Sequence, residues 1–94
     1  MESCAQDSLV LDCGIATARI VSWLEDELDL TATAERSYEF HMDGGTCHVG
    51  VRGLPNRTAG RLALERTELT IDGDAATTAA FMRLFTLRFI SAGG

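Results

Sequence analysis

The stretch SYEFHMDGGTCHVGVRGL at residues 37–54 decides the fold, because apolar and polar residues alternate on both sides of two adjacent glycines. Paired glycines supply the positive φ angles that a tight turn between two strands requires. The stretch therefore predicts a β-hairpin. The apolar residues of both halves fall on one side and form the predicted inward face: Tyr38, Phe40, Met42, Cys47, Val49 and Val51.

Two turn registers are compatible with this hairpin. If Gly44-Gly45 is the two-residue turn, His41 lies opposite His48 on the outward face, with Cβ atoms about 5 Å apart. If Asp43-Gly44 is the turn, Glu39 lies opposite His48 instead. Two imidazoles on one face could share a metal ion, with Glu39 as a third ligand. Outward polar side chains that simply face water are the alternative interpretation of His41 and His48.

The segment before the hairpin predicts a helix over residues 14–28. Its apolar residues recur at steps of one, three and four, the pattern of an amphipathic helix, at positions Ile20, Val21, Leu24 and Leu28. The apolar run at residues 8–12 precedes it. That run is too short for periodicity to distinguish a strand from an earlier start of the helix, and we favour a strand.

The segment after the hairpin predicts a loop at residues 55–60, a strand or bent strand pair over 61–72, and a helix from Ala75 onward. Leu62 and Leu64 have the opposite parity to Leu69 and Ile71, so one unbroken strand would point one of the two pairs outward. A bulge near residues 66–68 would restore a common face. Residues 72–74 are expected to form a turn that ends in a helix N-cap. Residues 85–89 also alternate as a strand would, but no breaker separates them from the helix, so we favour one helix.

Together these elements predict a single domain over residues 1–94, of the α+β class. The expected architecture is a two-layer sandwich in which an antiparallel sheet of three to four strands carries two helices on one face, in the order (β)αβββα. The order helix, three strands, helix resembles that of double-stranded-RNA-binding domains. Those domains bind phosphates through basic residues, and the net charge of −6 argues against that function here.

Composition excludes several classes of function. All eight basic residues are arginine, which removes Schiff-base chemistry, a phosphate-binding P-loop lysine and a lysine general base. The net negative charge disfavours nucleic acid and anionic membranes as partners and suits a basic protein instead. No apolar run has the length of a membrane span and the first residues are acidic, so we expect a cytoplasmic protein. The sequence predicts no cofactor, and it is compatible with a homodimer.

Four acidic residues crowd the predicted C-terminal end of the first helix, where the helix dipole disfavours negative charge: Glu25, Asp26, Glu27 and Asp29. Local rules broken without visible compensation are enriched at functional sites, so this cluster is a candidate surface for a basic partner. A solvated helix end with Arg19 or Arg36 nearby is the alternative interpretation.

The cysteines and the terminal glycines give weaker indications. Cys47 and His48 are consecutive in a strand and point to opposite faces, so they cannot form a nucleophile and base pair. Cys13 precedes the first helix, whose N-terminus could lower the pKa of its thiol. Gly93-Gly94 resembles the tail of the ubiquitin-like sulfur-carrier proteins, and the resemblance covers those two residues only.

From these features we expect a small non-catalytic binding or accessory protein that acts through protein–protein contact. An inhibitor that mimics the charge of nucleic acid is one variant of this hypothesis. The alternatives are a small metal- or thiol-dependent enzyme and a sulfur-carrier-like protein.

Overall fold

The computed structural model describes residues 6–90, and within them the chain forms a five-stranded antiparallel sheet with two helical segments on one face. The strands are β1 Gln6–Cys13, β2 Thr31–Ala34, β3 Ser37–Met42, β4 Gly45–Ala59 and β5 Leu62–Asp74. The helices are α1 Thr17–Ser22 and α2 Ala75–Phe85, and each continues into a π-helical turn, Trp23–Glu27 and Thr86–Ile90 respectively. The strand order across the sheet is β1-β5-β4-β3-β2. The α+β class with an antiparallel sheet is confirmed.

The strand count was predicted wrongly, because the strand β2 was not anticipated. This strand pairs with β3 at the edge of the sheet, and all of its side chains are exposed. An exposed edge strand of alternating Thr and Ala has no hydrophobic alternation to reveal it. The strand at residues 8–12 is confirmed as the centre of β1, which forms the opposite edge and pairs with β5. The order of elements is therefore βαββββα.

The hairpin adopts the register in which Asp43-Gly44 is the turn. Met42 pairs with Gly45, and the turn residues have φ angles of 49° and 83°, the positive pair that a type I′ turn requires. The predicted inward face is confirmed at Tyr38, Phe40, Cys47, Val49 and Val51, which are buried. Met42 is the exception at 39% exposure. It lies at the end of the sheet beside the turn, where it lines an open cleft next to Ala76 and Ala80 of α2.

The predicted loop at residues 55–60 is wrong, since β4 continues to Ala59. A bulge lies between Leu54 and Arg57 and accommodates Pro55 and Asn56 within the strand. Proline has no N–H to donate to the ladder, so within a strand it is tolerated at such a bulge. The bulge predicted on the other strand, near residues 66–68, is absent: the pairing of β5 with β4 is continuous there.

The core forms where the helices meet the sheet, and it is rich in aromatic rings. The Trp23 ring centroid lies 5.6 Å from that of Phe81, 5.9 Å from that of Phe85 and 5.4 Å from that of Phe89. Phe40 on β3 lies 5.4 Å from Phe81. These contacts join both helical segments to the middle of the sheet. Phe89 belongs to the π-helical turn after α2, so residues 86–90 are helical as we favoured.

The start of α2 also matches expectation in part. Asp74 is the N-cap, and its carboxylate accepts a hydrogen bond from the backbone N–H of Thr77 at 3.0 Å. That hydrogen bond lowers the pKa of Asp74 below its usual value. The turn predicted at residues 72–74 is wrong, because β5 stays extended to Asp74 itself. Among the described residues, no helix is both long and apolar enough to cross a lipid bilayer.

Candidate functional site: a projecting hairpin arm

The most distinctive surface feature is a two-stranded arm made by the far ends of β4 and β5. The strand β1 ends with Cys13 opposite Thr67, and β3 begins with Ser37 opposite Gly50. Residues 54–66 therefore pair only with each other and project past the rest of the sheet. At about 3.3 Å per residue, the arm reaches about 20 Å from Thr67 to its turn at residues 60–61. The molecule is elongated as a result, with extents of 54 × 29 × 24 Å.

One face of this arm is apolar and open. Because β5 has no bulge, the alternation of its side chains continues unbroken from the core into the arm. Thr67, Leu69 and Ile71 point towards the helices, so Leu62 and Leu64 lie on the other face. Leu62 is 64% exposed and Leu64 is 46% exposed. An isolated two-stranded hairpin is marginal in water, so this exposed leucine face is the candidate site to consider.

The arm is also the basic part of an acidic protein. Residues 54–66 hold Arg57, Arg61 and Arg66 against the single acid Glu65, whereas the whole chain has a net charge of −6. Arg66 forms a two-point ion pair with Asp12 of β1, which fixes the base of the arm and holds the pKa of that carboxyl below its usual value. Within the described residues, no ion pair involves Arg57 or Arg61. The arm therefore presents leucines flanked by arginines.

The acidic cluster predicted at the end of the first helix is partly engaged inside the molecule. The Tyr38 hydroxyl donates a hydrogen bond to Glu25 at 2.5 Å, and Arg88 contacts Glu27 through two nitrogens at 3.3 Å each. Asp26 accepts a hydrogen bond from Ser22 at 3.1 Å. Asp29 is exposed and has a positive φ of 54°. The cation that pairs with this cluster is Arg88 from the last helical turn, and among the described residues no ion pair joins Arg19 or Arg36 to it. Whether this cluster binds a partner stays a prediction.

The contact between Tyr38 and Glu25 predicts a pH dependence at alkaline pH. Burial, the hydrogen bond to Glu25 and its negative charge raise the pKa of Tyr38 from 10.0 to about 12. Between pH 10 and 12 the unfolded chain loses the phenol proton while the folded chain keeps it. The contribution of Tyr38 to the free energy of unfolding is therefore fully present below pH 10 and is lost, about 3 kcal/mol in all, as pH rises through and beyond 12.

This prediction can be read directly, because Tyr38 is the single tyrosine of the chain. The ultraviolet absorbance of the phenolate should give one titration with a midpoint near 12. Glu25→Gln should move that midpoint down but leave it above 10, since burial is the larger cause. Asp26→Asn removes a charge from the same helix end without touching Tyr38 and serves as the matched control. A midpoint near 10 in the native protein would contradict the prediction.

The two histidines lie on the uncovered face of the sheet and meet on one carboxylate. His41 Nε2 lies 3.3 Å from Glu39 Oε1, and His48 Nε2 lies 3.3 Å from Glu39 Oε2. The two imidazoles do not face each other directly, because His41 pairs with Thr46 and His48 pairs with Glu39. His48 Nδ1 is 4.0 Å from Asp72. Over residues 6–90, no group of three or more His, Cys, Asp or Glu side chains is arranged to hold a metal ion. The metal site therefore stays a prediction.

The cysteines lie in the core where they are described. Cys13 and Cys47 are both buried free thiols, and burial raises the pKa of each. A raised pKa reduces the thiolate fraction on which nucleophilic attack depends, the opposite of what a reactive Cys13 requires. His48 is exposed on the face opposite Cys47, as the alternation of strand side chains predicts. Cys4 and Gly93-Gly94 lie outside the described residues.

Comparisons with known proteins give no match from which a function could be inferred, so the site is interpreted from its own geometry. No protein-family model, no curated protein and no solved structure matches this chain. The arm itself was missed by the sequence interpretation, although one signal for it was present. Leu62 and Leu64 have the opposite parity to Leu69 and Ile71 because β5 continues past the core without a bulge. The sequence interpretation instead explained this difference in parity by a bulge near residues 66–68.

Proposed function

We propose that this protein is a small non-catalytic binding or accessory protein that acts through protein–protein contact, and that the arm is its contact surface. The observation that carries the proposal is the open leucine face on a two-stranded projection. A hairpin without a third strand or a helix against it has no core of its own. Burying Leu62 and Leu64 against a partner would both remove apolar surface from water and stabilise the arm.

The composition of the arm also describes the partner. Arg57 and Arg61 flank the leucines, and arginine is enriched at protein interfaces because its planar group pairs with carboxylates at two points. We therefore expect a protein partner with an apolar patch rimmed by acidic groups. This differs from the basic partner that the net charge of the whole chain favours. The acidic cluster at Glu25 to Asp29 would be the surface for a basic partner, but two of its carboxylates are already engaged by Tyr38 and Arg88.

The double variant Leu62→Ser, Leu64→Ser tests the arm. Both side chains are exposed, so the free energy of unfolding should change by no more than about 1 kcal/mol in total. Binding should weaken at least about 10-fold, because central apolar contacts dominate interfaces. The measurement is affinity purification from a lysate of the native host, followed by calorimetric titration with the protein that is retained.

Leu87→Ser is the matched control, because Leu87 is as exposed as Leu62, at 65% against 64%, and lies on the last helical turn. It should retain the same partner as the native protein. The charge-reversal variant Glu25→Arg, Asp26→Arg, Glu27→Arg tests the other surface. If it loses the partner while the arm variant keeps it, the arm proposal is wrong.

The enzyme alternative has a test of its own. Elemental analysis of the purified protein and of His48→Ala would reveal a bound metal at the outward histidines. Stoichiometric zinc, nickel or copper that His48→Ala loses would replace the proposal with the metal-dependent alternative.

A further inference from the structure

Within residues 6–90 no strand pairs with the outer edge of β1, and this edge has few of the features by which proteins protect an exposed strand. It pairs with β5 over eight consecutive residues with no irregularity and contains no proline, and its charged residues are Asp7 and Asp12. The opposite edge of the sheet, β2, is only four residues long and its pairing is interrupted between Ala32 and Ala34. Short length and irregularity block the addition of further strands. Among the residues that the structure describes, one edge of this sheet is therefore blunted, and the other presents a regular row of unpaired backbone N–H and C=O groups.

Apolar surface lies on both sides of this open edge. On the uncovered face of the sheet, Val10 is 64% exposed. On the helical face, an open cleft of about 530 Å³ separates the end of β1 from the last helical segment. Its apolar lining includes Leu11, Ile15, Phe85, Phe89 and Ile90, and Ile90 itself is 57% exposed. A strand added to this edge would gain backbone hydrogen bonds and cover apolar groups above and below.

We propose that the edge of β1 pairs antiparallel with the same edge of a second copy of this chain, forming a continuous sheet across a two-fold axis at Val10. A two-fold axis that relates two antiparallel edge strands stands perpendicular to the sheet. Side chains of paired residues therefore lie on the same face of the joined sheet, and the helices of both copies cover one side of it. In this register Val10 faces the partner's Val10, and Leu9 faces the partner's Leu11. Shifting the axis to Leu9 would oppose Leu11 with the partner's Asp7 and lose these apolar pairs.

The charges of β1 are also compatible with this register. Asp12 faces the partner's Ser8, and Asp7 faces the partner's Cys13, so no carboxylate meets another directly across the axis. Asp12 is in addition held by Arg66 of its own chain. A strand of another sequence could pair with the edge, but the strand that the chain itself carries already matches it in both polarity and charge.

The proposed dimer leaves the arms free. Each arm projects beyond the end of β1 that carries Cys13, and the two-fold axis places these ends at opposite sides of the assembly. The dimer is thus independent of the proposed function of the arm, and would present two arms pointing in opposite directions. Failure of one proposal can be distinguished from failure of the other.

Val10→Lys tests the interface in sedimentation experiments over a range of concentrations. The native protein should be a concentration-dependent dimer. Val10→Lys places two ammonium groups side by side at the axis and should weaken the dimer at least about 100-fold. Leu62→Lys is the matched control, because Leu62 has the same exposure of 64% but lies on the arm. It should leave the dimer unchanged. A monomeric native protein, or a dimer that Leu62→Lys disrupts and Val10→Lys does not, would overturn the proposal.

The register itself is tested by cross-linking in a Cys4→Ser background, in which the remaining native thiols are buried. A short bis-maleimide should join the two copies of Val10→Cys, whose side chains face each other at the axis. Ser8→Cys lies on the same face but about 14 Å from its counterpart, so the same reagent should not join it. Efficient cross-linking at Ser8→Cys with none at Val10→Cys would contradict the register.

Discussion

Phe81→Ala is expected to lower the free energy of unfolding by about 4 kcal/mol, because this buried ring joins the aromatic rings of the helices to the sheet. Phe81 is fully buried on α2, and it contacts Trp23 of the first helical segment and Phe40 of β3. Removing it opens a cavity where both helical segments meet the sheet. The neighbouring rings are held by their own backbone elements and cannot close around the space.

The measurement is urea unfolding followed by fluorescence, since Trp23 is the single tryptophan of the chain and lies beside the new cavity. The midpoint should fall while the slope with denaturant stays the same, as expected for a change in stability alone. Leu87→Ala, on the exposed side of the last helical turn, is the control and should change stability by no more than about 0.5 kcal/mol. A loss below 1 kcal/mol for Phe81→Ala would show that the ring is not packed as described.

The sequence predicts those elements of the fold that bury one side of a regular pattern. The hairpin at residues 37–51 alternates, so its inward face follows from parity alone, and the core residues Phe40, Val49 and Val51 lie where they were expected. Asp74 was recognisable as an N-cap because its carboxylate can satisfy a free N–H at the helix start. The prediction succeeds where one buried face makes apolar residues recur at a regular spacing in the sequence.

The elements that were missed show no such regular spacing of apolar residues. The edge strand β2 is exposed on both faces, and the arm continues β4 and β5 to where neither face meets a helix. Pro55 and Asn56 indicate a loop to any local rule, and only the pairing of Arg57 with Leu64 across the bulge shows that the strand continues. The arm was hidden because its pattern is set by long-range pairing, which a single sequence does not display.

The register at the turn illustrates the same limit for the outward face. Both candidate turns preserve the inward face, so hydrophobic patterning cannot choose between them. The turn forms at Asp43-Gly44, where both residues have positive φ angles. In this register His41 and His48 are not opposite each other, and Glu39 lies between them. A hypothesis about a site on this face could not be decided from composition, since it depended on a shift of two residues in the pairing.

Gly73→Ala is expected to destabilise the protein by about 4 kcal/mol, although it adds a single methyl group. Gly73 lies in β5 between β1 and β4, paired with Asp7 and Cys47, and its φ is 145°. A Cβ there would lie 2.5 Å from the Thr46 carbonyl oxygen and 2.6 Å from Cys47 Cα. Both atoms belong to the backbone of β4, so no flexible side chain can move aside to relieve the overlap.

The strand β4 cannot retreat from the added methyl group either, because β3 pairs with its other edge along the same residues. Gly60→Ala is the matched control. Gly60 also has a positive φ, at 63°, but it lies at the turn of the arm with open space around the position of a Cβ. It should cost only the local strain of about 1 kcal/mol.

Comparing the two variants therefore distinguishes the cost of a positive φ angle from the cost of a clash between strands. The measurement is thermal unfolding of both variants and of the native protein. If Gly73→Ala and Gly60→Ala lose equal stability, the close packing of β4 on β5 at this position is not what requires a glycine. If Gly73→Ala alone is strongly destabilised, the glycine that local rules assign to a turn is instead required by a contact between strands. The contact also lies beside the start of α2, since Asp74 follows at once as the N-cap, at the end of β4 and β5 that is opposite to the arm.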